Sequence, residues 1–503
     1  MPEHIRALFV VLFLSTILFA FAKKTASGIF PHAEFVRRRN LWLVITIVAF
    51  LTHNFWIYIL ITGLLIHFAR AREPNPIALF FLLLFAVPAN GVDIPGLGLV
   101  NYLISLDHVR LLSLLILMPA YLALIGQKQT LSFGRTIPDK FLIIYLALIL
   151  LLYLRETSVT DTLRQGFYQF TDIFLPYYVT SRFLNNARIF REALLCFVIA
   201  AMILSIIGVF EAFKHWLLYD ALMQVLEIPN EFTAYGNRAG FQRAAATVGS
   251  IPLGFIIAIG IGISPYLQQF IHSKFCWWTG VTLLVLGLLA SFARGPWMGA
   301  FFILLVLILI GQNPMRSFLK FFVIGIITIP LLIYLPGANK LVEILPFIGS
   351  AEQENVSYRE RLIDKALIVI NRHPFLGSVD YLDTPEMESM RQGQGIIDIV
   401  NTYIQITLKS GYIGVSLFIG FFMSICMGIY RRFRQLPDKN SEEYLLGRTL
   451  LATLAGILLI IFTVSSIGII PIVYWSVAGL GAAYINMLDQ VRDYQNAGDK
   501  CLS

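Results

Sequence analysis

Charged side chains are scarce in this sequence and account for only 14% of its 503 residues. A soluble protein carries roughly 25% charged residues, which keep its surface in water. Hydrophobic residues, by contrast, make up 57% of the chain. The composition therefore excludes a soluble globular protein and predicts one that is embedded in a membrane.

Cysteine and the spacing patterns of metal sites are also nearly missing. The cysteines stand singly, and neither a Cys-x-x-Cys pair nor a Cys/His ligand pattern occurs. We therefore predict neither a disulfide framework nor a metal site, and we expect no cofactor. The net charge of +8 is attributed to cytoplasmic anchoring and not to nucleic acid, because no nucleic-acid-binding motif is present. The four cysteines are Cys196, Cys276, Cys426 and Cys501.

Long apolar runs recur from one end of the sequence to the other. Runs of about 17–25 residues can cross a bilayer as helices, and the alternation typical of membrane β-barrels is missing. The predicted fold is an all-α polytopic membrane protein with roughly 12–14 transmembrane helices. The first run, Ala7 to Ala22, is interpreted as a retained helix, because Lys23 and Lys24 follow it without a cleavage site.

Short basic loops predict the orientation, because clusters of Lys and Arg stay on the cytoplasmic side. With these loops inside, a span at about 321–335 leads outward. The segments 214–243 and 337–398 and the turn at Arg294 then lie outside. The basic loops are 181–191, 313–320 and 430–434.

The chain divides into three predicted segments. Residues 1–335 hold the N-terminal transmembrane helices, 336–400 form a large periplasmic loop, and 401–503 hold the C-terminal transmembrane helices. Residues 41–68 form either one long helix or two short helices broken at residues 53–54. This alternative leaves the side of the N-terminus undecided.

Several arginines lie on the predicted outer face, against the positive-inside tendency. Arg294 stands in a short turn between two apolar helices, a position that is costly without an anionic partner. The planar guanidinium suits phosphate oxygens, and several guanidinium groups suit a diphosphate. Each arginine alone could equally reach the lipid headgroups or a nearby carboxylate, but Gly295 and Pro296 open the backbone beside Arg294. The outer arginines are Arg238, Arg243, Arg294, Arg359 and Arg361.

Two carboxylates add to the candidate site. Glu211 lies within an apolar helix, where it either pairs with an outer arginine or lines a wet cavity. Asp398 is three residues from Asn401, and on a helix the two would share one face. Asp398 is either a general base or a carboxylate that binds backbone amides at a helix N-terminus, and both interpretations stay open.

The predicted outer loop contains a short amphipathic helix within residues 356–376. Ser357 followed by Glu360 has the spacing of a capping box, and Pro374 is expected to end the helix. We expect the helix to direct its two arginines, Arg359 and Arg361, toward the membrane surface. The stretch 378–395 is polar and irregular, as in a flap over a site. The apolar positions at helical spacing are Leu362, Ala366, Leu367 and Ile370.

Four motifs, in order, resemble those of the O-antigen polymerase and ligase superfamily, and the resemblance covers about residues 160–430. The one around Arg294 is similar to that family's Ser-Arg-Gly-x-Trp/Leu-x-Gly hairpin. Residues 172–182 also resemble the polymerase branch. The motifs are Arg243 with Gly-Ser-Ile-Pro-Leu-Gly at 249–254, Ala-Arg-Gly-Pro-Trp-Met-Gly at 293–299, Arg359 with Arg-His-Pro-Phe-Leu-Gly at 372–377, and Asp-Ile-Val-Asn-Thr-Tyr at 398–403 with Leu-Lys-Ser-Gly-Tyr-Ile-Gly at 408–414.

The resemblance implies a glycosyltransferase of the bacterial inner membrane with a periplasmic active face and no metal. Such enzymes take a glycan from undecaprenyl diphosphate and transfer it to a second lipid-linked glycan or to lipid A core. A flippase and a chain-length regulator are further partners that the resemblance allows. It implies that Arg243, Arg294 and Arg359 bind the departing diphosphate, with Arg361 as a further binding residue. Additional candidates are Arg238, Glu211, Asn401 and Tyr403.

One departure from the family pattern bears on the reaction. Ligases carry a histidine directly before the asparagine, and this chain has Val400 there. The nearby Asp398 resembles the variant of exopolysaccharide polymerases, which favours a polymerase with Asp398 as the base. A ligase, a transporter or flippase of lipid-linked glycans, and a scaffold whose arginines anchor lipids are the alternatives.

Overall fold

The helical character of the chain is visible in a computed structural model. The model describes residues 1–96, 98, 100–128, 130–228, 237–238, 241–271, 273–316, 318–319, 353–392 and 395–502.

Helices account for nearly all regular structure in these residues, with two small antiparallel hairpins beside them. The helices are α1 Glu3–Ala26, α2 His32–Leu51, α3 Phe55–Arg70, α4 Pro76–Leu83, α5 His108–Leu112, α6 Met118–Ile125, α7 Ile137–Glu156, α8 Val159–Gln169, α9 Leu175–Phe183, α10 Ala187–Lys214, α11 Asp220–Val225, α12 Ser250–Leu267, α13 Lys274–Ala290, α14 Arg294–Leu309, α15 Gln353–Arg372, α16 Pro385–Glu388, α17 Thr402–Gln435, α18 Glu442–Phe462 and α19 Ile470–Leu502. The strands are β1 Val92–Pro95, β2 Tyr102–Leu106, β3 Asn237–Arg238 and β4 Phe241–Gln242, and single turns of π- or 3-10 helix occupy Ser113–Leu117, Phe170–Phe174, Gln268–Phe270 and Tyr381–Asp383.

Eight helical stretches of the described chain are long and apolar enough to cross a membrane. Three shorter apolar helices, α3, α13 and α14, accompany them. The predicted all-α polytopic membrane fold is confirmed. The predicted span at 321–335 lies outside the described residues, and the three-segment division of the chain stays a prediction. The eight stretches are Glu3–Ala26, His108–Ile125, Ile137–Glu156, Ala187–Lys214, Ser250–Phe270, Thr402–Gln435, Glu442–Phe462 and Ile470–Gln490.

Ion pairs gather the starts of several helices at one end of the bundle, which we call the lower end. The Arg38 guanidinium near the start of α2 contacts Glu73 at 2.5 Å and Glu192, near the start of α10, at 3.6 Å. Arg191 of α10 contacts Glu442, the first residue of α18, at 3.1 Å. The lower end is thus rich in arginine, as expected of a cytoplasmic face.

The opposite, upper end is where α12, α14 and α17 begin. The N-terminus also lies there, because the Trp216 indole N–H beyond the end of α10 donates to the Glu3 carboxylate at 3.0 Å. The stretch 41–68 is two helices, and Asn54 caps the second by accepting from Trp56 N–H and Ile57 N–H. Of the two predicted alternatives, the broken one is therefore correct.

The predicted amphipathic helix exists as α15, but it begins by Gln353, so Ser357 lies inside it. The predicted capping box is therefore wrong, although the helix ends at Arg372 as expected. Its buried stripe contains Val369 in place of the predicted Leu367, which is 45% exposed. The other buried positions are Leu362, Ala366 and Ile370.

The stretch 378–395 is less irregular than predicted. Tyr381, Met387 and Met390 are buried and pack with the apolar stripe of α15 in a small separate core. The Val379 N–H is bound by the Glu156 carboxylate at the end of α7. We refer to residues 353–392 as the cap, because this core joins them into one unit.

A backbone interlock attaches the cap to α17. Gly411 interrupts that helix with φ 64° and ψ −169°, a region that essentially only glycine adopts. The Tyr412 N–H therefore donates to Pro374 O at 2.7 Å, and the Ser378 N–H donates to Leu408 O at 2.9 Å. A Cβ on Gly377 would stand 2.5 Å from Leu408 O, so both glycines are needed for this approach.

Replacing Gly411 with alanine is expected to destabilise the protein by more than about 3 kcal/mol, because backbone strain adds to overlap with the Phe375 carbonyl. Gly395→Ala is the matched control. Its φ is also positive, but a Cβ there meets no described atom within 4 Å, so we expect only about 1–2 kcal/mol. Thermal unfolding in detergent measures both, and equal losses would contradict the interlock.

Candidate functional site

Arg243 contacts the turn between α13 and α14, which carries Arg294, at the upper end. The chain around Arg243 runs beside the end of α13, where Ala244 N–H donates to Ala290 O at 3.0 Å. The buried Arg243 directs its Nε–H to Ser291 O at 3.4 Å, three residues before Arg294. Arg243 therefore lies beside the turn that carries Arg294, and the joint role of the two arginines stays a prediction.

Glu211 holds the Arg243 segment in place. Its carboxylate is fully buried and accepts backbone N–H groups from Leu218 at 3.0 Å, Ala245 at 2.9 Å and Ala246 at 2.8 Å. The predicted alternatives were that Glu211 pairs with an arginine or lines a wet cavity. The structure shows a third arrangement, in which the carboxylate binds backbone amides. Glu211 therefore acts on the site through the backbone.

The turn between α18 and α19, residues 463–466, touches three predicted parts of the site, and we call it the polar turn. Gly295 packs so closely on the Thr463 hydroxyl that a Cβ would overlap it. The exposed Arg359 on the cap donates to Thr463 O at 3.5 Å. Gly295, the neighbour of Arg294, and the Arg359 side chain thereby meet the same short segment.

Asp398 reaches the same turn from a segment outside any helix. Its Oδ1 accepts hydrogen bonds from Ser465 Oγ at 2.5 Å and from Val400 N–H at 3.1 Å. The Tyr358 hydroxyl donates to Asp398 O at 3.1 Å. Partial burial raises the pKa of Tyr358, so the phenol stays protonated as a donor.

Asn401 has a structural role at the start of α17. It is the N-cap of α17, and its side-chain oxygen accepts from Tyr403 N–H at 2.8 Å and Ile404 N–H at 3.2 Å. Because the helix begins only at Thr402, the prediction that Asp398 and Asn401 share a helical face is wrong. An asparagine just before an apolar run is a helix-start signal that could have revealed this.

Other predicted residues lie away from this group. Arg361 donates to Ser357 O of its own helix at 3.3 Å. The Tyr403 hydroxyl donates to Leu458 O at 2.9 Å, inside the bundle. Arg238 lies in β3, and its side chain is outside the described part of the structure. Neither of these two contacts reaches the polar turn, and the roles of Arg361 and Tyr403 stay predictions.

Backbone strain accumulates at the upper end. Ala246, Phe292 and Val400 have φ values of 45°, 47° and 44°, which are uncommon for residues other than glycine and most unusual for the β-branched Val400. Each stands a few residues before the first residue of α12, α14 or α17. Strain of this kind costs about 1–3 kcal/mol per residue and is concentrated at functional sites.

Helix N-termini give the upper end a positive potential in addition to its arginines. The N-cap positions of α12 and α14 are Gly249 and Ala293, which have no side chain able to cap a helix. Unsatisfied N–H groups and the helix dipole at such ends attract anions. The described residues contain no group of three or more His, Cys, Asp or Glu side chains that could hold a metal. The arrangement is suited to a polyanion such as a diphosphate.

These features define a multipass helical membrane protein with an anion-attracting site at one end. Among known families, the model described as O-Antigen ligase matches residues 279–419. The match contains Arg294, Arg359 and Asp398, and it confirms the predicted resemblance to the O-antigen polymerase and ligase superfamily. A search of curated proteins found no match.

The polar turn was not predicted from the sequence, and it lies beyond the matched residues. Its Val464 O accepts both the N–H and the hydroxyl of Thr402, at 3.1 and 2.8 Å. Ser466 N–H donates to Gln405 Oε1 at 3.1 Å. A cluster of Thr and Ser between two apolar helices is the sequence signal that it provides.

Gly295→Ala is expected to lower stability by about 1–3 kcal/mol, the usual cost of overpacking, because the new methyl group displaces Thr463. The second substitution Thr463→Ala should restore stability, since the next atoms stand 3.4 Å from the added Cβ. Thermal unfolding of both single variants and the double variant measures this. A Gly295→Ala variant as stable as the unchanged protein would contradict the contact.

Proposed function

We propose that this protein is a membrane glycosyltransferase that polymerises oligosaccharide repeats carried on undecaprenyl diphosphate. The reaction takes place at the upper end, which we assign to the periplasmic face of the bacterial inner membrane. The observation that supports the proposal is that Arg243 binds the turn that carries Arg294, while Arg359 binds the polar turn, which packs on Gly295. Both turns lie opposite the lower end with its Arg38 and Arg191 ion pairs. Cations gathered away from the cytoplasmic face need an anionic partner.

A lipid-linked diphosphate meets the requirements of this site. It is anchored in the outer leaflet, so it reaches the upper end without leaving the membrane. Its two phosphates match several guanidinium groups and the dipoles of α12 and α14. The arginines would neutralise the negative charge that grows on the diphosphate as it departs.

In the proposed reaction the acceptor hydroxyl oxygen attacks the anomeric carbon of the donor glycan. The bond between that carbon and the diphosphate oxygen breaks, and its electron pair leaves with the diphosphate. The hydroxyl proton passes to Asp398, which acts as general base. Undecaprenyl diphosphate and a lengthened lipid-linked glycan are the products.

Replacing Arg294 tests the diphosphate site. Arg294→Ala should lower kcat by about 10²–10³-fold, the usual effect of losing one charge-stabilising donor. Arg294→Lys should still lose about tenfold, because an ammonium lacks the planar fork. Purified protein with native lipid-linked repeats, assayed for released undecaprenyl diphosphate, measures both.

Arg391→Ala is the control for charge at the cap, because Arg391 is exposed and paired with Glu388 at 2.7 Å. Its activity should equal that of the unchanged protein. Full activity in both Arg294 variants would contradict the proposed diphosphate site.

Asp398→Asn tests the base. The amide keeps the size of the side chain but accepts no proton, so kcat should fall by about 10²–10⁴-fold at normal protein level. Glycan length on gels and released undecaprenyl diphosphate are the measurements. Unchanged length and yield would show that another group takes the proton.

Ligase-type transfer is the second candidate, because the matching family model is described as O-Antigen ligase. The acceptor separates the two functions. A polymerase lengthens glycans when lipid-linked repeats are the only substrate, whereas a ligase needs lipid A core. A transporter or flippase releases no undecaprenyl diphosphate in either mixture.

A further inference from the structure

We infer that Ser465 is a positioning residue that orients the Asp398 carboxylate so that Oδ2 receives the acceptor proton. This inference rests on the proposed function and extends it to a residue outside the family match. Its basis is the contact between Ser465 Oγ and Asp398 Oδ1 at 2.5 Å. The Ser465 side chain is buried, with 4% of its surface exposed.

The hydrogen bonds to Asp398 are one-sided. Among the described residues, the side-chain donors and amides that reach this carboxylate, Ser465 Oγ and Val400 N–H, both bind Oδ1. Hydrogen bonds to one oxygen restrict the orientation of the carboxylate group. The lone pairs of its second oxygen are then left to accept a proton from a substrate. A general base needs this geometry before it needs any particular acidity.

Hydrogen bonds of the neighbouring residues restrain the polar turn on both sides of Ser465. On one side Val464 O is bound by Thr402, and on the other Ser466 N–H is bound to Gln405. The Ser466 hydroxyl also contacts the Tyr474 hydroxyl at 3.2 Å. The residues on both sides of Ser465 are therefore bonded to α17 and α19.

The same turn connects the two halves of the reaction. Thr463 contacts Gly295 beside Arg294 and accepts from Arg359, while Ser465 holds Asp398 two residues later. Residues proposed to bind the leaving group and the residue proposed to take the proton are thus positioned by one short segment. Their relative geometry depends on the polar turn, and a shift of about 1 Å can cost about 10²-fold in rate.

The test compares Ser465→Ala, Ser465→Thr and Ser465→Cys in purified full-length protein with native lipid-linked repeats. Ser465→Ala should lower kcat by about 10²-fold with little change in KM, because substrate binding is left to the arginines. Ser465→Thr keeps the hydroxyl and should recover most of kcat. Ser465→Cys has nearly the size of serine but a weak donor, and should fall between the two.

Ser476→Ala is the matched control. Ser476 is also a buried serine of this region, but its hydroxyl donates at 2.7 Å to Ile472 O of its own helix. It should leave kcat unchanged. Equal losses in Ser476→Ala and Ser465→Ala would mean that removing any buried hydroxyl here disturbs the fold, and would overturn the inference.

The double variant Asp398→Asn/Ser465→Ala separates the inference from the proposed function. If Ser465 acts only through Asp398, the double variant is no slower than Asp398→Asn alone. A further loss in the double variant, or full kcat in Ser465→Ala while Asp398→Asn is inactive, overturns the inference and leaves the proposed base intact. Full activity of Asp398→Asn overturns both.

Discussion

A backbone amide or carbonyl that leaves a helix inside an apolar bundle must find a partner, and this constraint shapes the upper end of the protein. Several breaks in the helices there are closed by a specific group. The Glu211 carboxylate receives two amides ahead of α12 and one beyond the end of α10, and Val464 O receives Thr402 at the start of α17. Because these partners come from distant parts of the chain, closing the backbone also gathers the side chains of the site.

Strain and charge at the upper end have a common origin in this backbone arrangement. Phe292 and Val400 adopt left-handed backbone angles two residues before α14 and α17 begin at the upper end. The dipoles of those helices then add to the field of Arg294. A site that gathers so much positive potential is stable only where an anion or an ordered solvent can occupy it.

The sequence was most informative where one residue type violated an expectation for membranes. Apolar runs predicted the helices, and the tendency of positive charges to stay inside singled out Arg243, Arg294 and Arg359, of which Arg243 and Arg359 contact turns at the upper end. Local spacing was less reliable: Ser357 had the pattern of a cap within a helix that begins by Gln353. The link from Ser465 to Asp398 spans 67 positions, and no local pattern encodes a contact of that range.

The interlock between Gly377 and Gly411 has a consequence for how this protein can vary. The Leu408 and Pro374 carbonyls each accept a hydrogen bond from an amide of the opposite segment. Each segment would therefore leave a backbone carbonyl without its partner if the other segment were changed. The cap and the beginning of α17 are therefore expected to change together during evolution. Exchange of the cap between relatives would have to carry residues 373–378 and 408–413 together, although a stretch of other sequence separates them.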